Sequence, residues 1–172
     1  GIIIACVIIS IGVQMFQNSQ LKSLLSIAVV DSNYNHDEQV EALQNDFLAY
    51  AGTGDKHEVV DVDTSLLSGD DYNAVVKMTV VMGAGTADMM FCGEETYKKY
   101  KQQEAFLSWK EILGDDYSKY EEYMTDDGRL DLEKCPNWEK YNMVYYSPVY
   151  AVVMSSSKNL ENCIKFLEMM VQ

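Results

Sequence analysis

The chain has 172 residues, 48% of them hydrophobic and 23% charged, and 13 basic against 27 acidic side chains leave a net charge of -14. That length supports one domain able to bury a sizeable core. The charge excludes a nucleic-acid partner, because a phosphate backbone attracts clusters of Lys and Arg and repels such a field.

Gly1 to Phe16 carry no charge and are dominated by Ile and Val. Such a run falls just short of the ~20 residues that cross a bilayer, and upstream residues could complete a span. Residues 1–20 therefore read as a membrane anchor or the remnant of a signal-anchor; the alternative is a buried core segment. A cleaved signal peptide fits poorly, since no small-residue cleavage site precedes Gln17-Asn18-Ser19-Gln20. Ile3-Ile4-Ala5-Cys6 has the form of a lipobox, but the apolar run continues past Cys6, where a lipoprotein turns polar.

Residues 21–172 read as one α/β domain. Ser26 to Val30 is an apolar run closed by Asp31-Ser32-Asn33-Tyr34-Asn35, which predicts a first strand. Asn35 is a candidate N-cap, and Asp37 and Glu38 suit the positive end of a helix. Val40, Leu43, Phe47 and Leu48 recur at helical spacing until Gly52 and Gly54 stop the helix. Glu58 to Asp63 alternates and predicts a second strand.

Asp70 or Asp71 caps a predicted helix running to Met82 and ended by Gly83. Its valines favour a strand, yet two parallel strands need a crossover and this segment is available to supply it. Met89 to Cys92, a short apolar run between glycine-rich turns, predicts a strand buried on both faces. Glu94 and Glu95 then open a helix carrying Tyr97, Tyr100 and Leu107. Ser108 to Tyr145 is rich in tyrosine and acidic residues, with a turn at Asp126-Asp127-Gly128. Val149 to Met154 predicts a fourth strand, and Asn159 caps a last helix with an inward stripe of Leu160, Ile164, Leu167 and Val171.

Chemical motifs are sparse. Gly83-Ala84-Gly85 precedes a strand, whereas a dinucleotide loop follows one, so no cofactor is expected. Asp31 would suit a receiver domain, but such a domain needs an acidic residue at the end of its third strand, where Phe91-Cys92 stands. Cys6, Cys92, Cys135 and Cys163 show no Cys-x-x-Cys pair and no His at zinc spacing. Cys92 and Cys163 read as small buried hydrophobes. His36 and His57 fall at loop or cap positions, and no catalytic triad can be drawn. The acidic turns lack the alternating ligands of a calcium loop. The tyrosines between Tyr97 and Tyr150 suit either half-buried packing or a ligand-facing surface. No enzyme is expected and no metal.

Lys77 to Asp88, Met89-Met90-Phe91-Cys92-Gly93, Tyr97 to Leu107 and Tyr150 to Leu167 together resemble the extracellular solute-binding proteins of bacterial ABC importers. The match covers about Ser26 to Leu113 and Tyr146 to Val171. The resemblance implies a type II periplasmic-binding-protein-like fold reduced to a single lobe, because only Gly114 to Tyr145 stand where that family has a second one. The expected architecture is a three-layer α/β sandwich with a mainly parallel sheet.

In open sheets of this kind ligands sit beyond the carboxyl ends of the strands, at the switch point of strand order. The candidate contacts are therefore Asp31, Ser32, Asn33 and Tyr34 after the first strand, Asp63 and Thr64 after the second, and Gly93 and Glu94 after the third. The expectation is a membrane-anchored, extracytoplasmic module binding a small solute (sugar, amino acid or peptide). The alternative is an interaction domain that docks a membrane-protein partner and binds no small molecule.

Overall fold

The computed structural model describes residues 2–172. Its sheet grows outward from β1 (Lys22–Val30), which begins four residues earlier than the apolar run alone suggests. β2 (Glu58–Leu66) pairs with β1 in parallel from Lys22 opposite Glu58, and β3 (Met89–Cys92) pairs in parallel on its other side. The crossovers are α2 (Asp37–Ala51) and α3 (Tyr72–Ala84).

α3 is helical despite its valines. The Asp71 carboxylate accepts from the Asn73 and Ala74 N–H groups, satisfying donors the first turn leaves open. Val75, Val76 and Val80 stay largely exposed, so their strand preference has no sheet to act in. The helix runs through Gly83 and ends two residues later than expected, on Gly85 in the left-handed region at φ 62°.

Beyond β3 the sheet departs from expectation. β6 (Tyr150–Met154), the predicted fourth strand, pairs with β3 antiparallel rather than parallel. Its other side carries β4 (Phe106–Leu107) and β5 (Leu130–Asp131), both antiparallel. The order is β2-β1-β3-β6-β4, with β5 on β6, so the sheet is mixed and parallel only among β2, β1 and β3. Leu107 belongs to β4, because α4 (Glu94–Lys101) has already ended.

Successive residues of the central strands alternate between two clusters, as a sheet covered on both faces requires. Ile27, Val29, Met89, Phe91, Ala151 and Val153 face α2, α5 (Trp109–Leu113), α6 (Trp138–Tyr141) and α7 (Leu160–Val171). Ala28, Val30, Met90, Cys92, Val152 and Met154 face α3 and α4. The buried face of α7 is Cys163, Phe166, Leu167, Met169 and Met170; Leu160, Ile164 and Val171 lie at its margin. The expected stripe was thus rotated, because α7 sinks its sulfur-rich face against Phe91 and the α6 region.

Two helix starts also differ. The residue before α2 is His36, not Asn35, and it makes no side-chain cap bond. Asn159 precedes α7 but spends its amide on Asp88 rather than on the helix. α1 (Ile2–Ser19) buries no residue and is long and apolar enough to cross a membrane. The alternative of a core segment is therefore not what the fold adopts.

Candidate functional site

From β1 the chain passes through α2 to β2 on one side, and α3 then carries it back to β3 on the other side of β1, so the switch point lies between the carboxyl ends of β1 and β3. That crevice is filled by the chain itself. The Tyr146 hydroxyl lies 2.8 Å from the Val30 carbonyl oxygen and 3.3 Å from that of Phe91, donating into the gap between the strands. Burial pushes its phenol far above the ordinary tyrosine range, so it stays a neutral donor.

The residues leading up to Tyr146 lie along the loop after β1. The Asn33 N–H donates to the Met143 carbonyl at 2.8 Å, and Ser32 and Val144 form an antiparallel bridge. Asn142 to Pro148 thus form a strap across the rim. β6 runs antiparallel, so the segment that leads into it arrives at the end of the sheet where β1 and β3 finish.

What remains open is a cleft of about 280 Å³ beside the strap. Asp31, Gly93 and Glu94 line it, with Ser68, Glu95, Thr96 and residues Tyr145 to Pro148. Asp31 adopts φ 50°, its N–H donates to the Leu66 carbonyl and its Oδ1 accepts from the Ser68 N–H, so the corner after β1 is fixed. Gly93 precedes α4, and a Cβ there would come within 3.2 Å of the Tyr146 ring. A larger residue would displace the strap. Glu94 pairs with Arg129 at 2.7 Å and with Lys98 at 3.2 Å, and the Arg129 bond holds its carboxyl below the ordinary range.

The other predicted contacts are not brought into this cleft. The Ser32 hydroxyl donates to the Thr64 carbonyl at 2.8 Å, tying the rim of β1 to β2. The Asp63 carboxylate turns back on the Ser65 N–H at 2.9 Å. The Asn33 N–H is held by Met143, and Tyr34 stands fully exposed on the rim. Sequence reasoning missed the strap residues Tyr145 to Pro148, because a loop preceding a parallel fourth strand would lie at the opposite end of the sheet.

Two further polar clusters hold the fold together. The Arg129 guanidinium lies between the Tyr97 and Tyr150 rings, 4.4 and 4.3 Å from their centroids, and bonds Glu94 and Asp127. It fastens the segment between α5 and α6 to α4 and β6. Buried Asp88, at the start of β3, accepts from the Ser26 N–H, the Ser157 hydroxyl and the Asn159 amide.

The three buried thiols are poor nucleophiles. Burial pushes the Cys92, Cys135 and Cys163 thiols up to about 12, where almost no thiolate exists at neutral pH. Among the described residues no three His, Cys, Asp or Glu side chains converge as a metal site. Comparison with protein-family models, with curated proteins and with solved structures found no match.

Proposed function

We propose that this chain is a membrane-anchored, extracytoplasmic binding module, a single lobe similar to one half of a solute-binding protein, with helices in layers on either side of its sheet. The observation that carries the reading is the cleft at the carboxyl ends of β1 and β3, where Asp31, Gly93 and Glu94 meet the strap. The path of the chain also supports it. The chain leaves the sheet after β4, runs from Gly114 to Val149 with only the two residues of β5 in the sheet, and returns as β6 between β3 and β4. That excursion is where a second lobe would stand.

The cleft lies at the small end of ligand sites and offers carboxylates, tyrosine rings and backbone groups. A sugar, amino acid or short peptide presents matching hydroxyl, amino and amide groups. A thermal-shift screen over those three classes tests the reading, since a ligand held only by the folded state raises its melting temperature. A hit that Asp31→Ala abolishes is expected. Failure of every class would overturn the solute reading.

A second reading has its own observation. Tyr34 and Tyr145 are both exposed, and the Ser32–Val144 bridge brings their segments together. Exposed tyrosines beside one another suit a docking surface for a membrane-protein partner. Cross-linking from Tyr34 and Tyr145 positions in native membranes, with no hit in the screen, would favour this alternative.

A further inference from the structure

The basic residues are not partnered evenly. Of 13 Lys and Arg side chains, seven form ion pairs with acidic side chains. Lys77 bonds Ser65, Lys134 bonds the Met124 carbonyl, and Lys110 lies over the Tyr117 ring. Lys22, Lys56 and Lys158 remain, and among the described residues they form no ion pair, side-chain hydrogen bond or ring contact. In a chain where acids outnumber bases two to one, three unpartnered lysines are unexpected.

All three lie at the end of the sheet where α1 is attached. Lys22 opens β1, opposite Glu58 in the ladder, and its N–H donates to the His57 carbonyl. Lys56 stands in the turn that leads into β2. Lys158 shares a hollow of about 300 Å³ with Lys22 and Lys165. The acids there are engaged mainly with other groups, although Asp55 also feels the Lys22 charge as the smallest of its influences. Glu58 is buried and accepts from the Thr53 N–H and hydroxyl, Glu161 pairs with Lys165, and Asp55 bonds His57.

Only Gln20 and Leu21 separate α1 from β1, a reach of at most about 7 Å. The polar stretch Gln17 to Ser19 adds about 4.5 Å of helix beyond the apolar run, roughly the depth of one head-group layer. A bilayer around α1 would therefore bring its head groups against the three lysines. We propose that Lys22, Lys56 and Lys158 dock this end of the domain onto anionic phospholipid head groups. The inference rests on α1 being the anchor. Such docking opposes the repulsion that an anionic leaflet exerts on a chain of charge -14.

The test is hydrogen exchange of the full chain in nanodiscs of phosphatidylcholine alone or mixed with phosphatidylglycerol. Backbone amides of residues 52–58 and 155–160 are expected to exchange about fivefold more slowly in the anionic discs, the factor one membrane-facing lysine supplies. Raised salt should remove the difference. The triple variant Lys22→Glu, Lys56→Glu, Lys158→Glu should also remove it while leaving β3 exchange unchanged. Equal exchange in both discs, or an unaltered triple variant, would overturn the docking and leave the anchor standing. Equal protection by inorganic phosphate in neutral discs would reassign the lysines to a free anion and overturn the lipid proposal. A chain that fails to enter discs at all would overturn anchor and docking together.

Discussion

At the scale of single residues, Arg129 joins three separate parts of the molecule, touching α4, β6 and the turn at Asp127 at once. Arg129→Met should lower stability by about 2 kcal/mol in urea unfolding, since it takes the guanidinium from two carboxylates, leaving each with a more exposed lysine, and removes the stacking partner of two rings. Arg129→Lys should recover less than half, because an ammonium cannot stack between two rings while bonding two carboxylates. A pH dependence accompanies this. Glu94 titrates below its ordinary range, chiefly because Arg129 bonds its carboxylate. A depressed folded-state value gives stability that is complete above the unfolded range, about 4.3, and is lost as the pH falls through the folded value. Unfolding midpoints measured on either side of that window should drop on acidification in the parent chain and drop less in Arg129→Met.

At the scale of elements, glycine positions test how α3 ends. Gly85→Ala should destabilise by about 1 kcal/mol, because a side chain is strained at φ 62°. Gly83→Ala lies inside the helix with open space around its Cβ and should stabilise by up to about 1 kcal/mol. Thermal melts of the two variants moving the same way would contradict this boundary. Asp88→Ala should cost about 3 kcal/mol by leaving three donors without an acceptor, and exchange should quicken first at residues 155–159.

The same elements show what could be read from the amino acids alone. The three parallel strands and their two crossovers were legible, because each is an apolar or alternating run or a helix-length segment between turn residues. The direction of β6 was not. Its five apolar residues carry no polarity that distinguishes parallel from antiparallel pairing. That one ambiguity hid half of the candidate site, since the direction of β6 decides which end of the sheet receives Tyr145 to Pro148. Asp31, Gly93 and Glu94 were found because the switch-point rule needs only the parallel centre. Ser32 and Thr64 obey the same rule, but they bond each other across the rim, a pairing that follows from the β1–β2 register and not from residue type.

At the scale of the whole molecule, the free apolar helix α1 stands apart from an acidic domain with two covered sheet faces. Ile9→Lys, in mid-helix, should cost about 3 kcal/mol of insertion, and flotation with liposomes should show the variant leaving the lipid fraction. Retention with lipid would mean that another surface holds the chain there.

The shortness of the α1–β1 joint bears on how far from a bilayer the proposed cleft would stand. With α1 upright in a bilayer and β1 standing along the same normal, the nine residues of β1, at about 3.3 Å each, would place the cleft about 30 Å above the lipid surface. Two residues between α1 and β1 keep the foot of the domain close to the bilayer, and the lysine docking proposed above would hold it upright. On the proposed solute-binding reading, a partner taking ligand from the cleft would have to stand tall enough to meet it there.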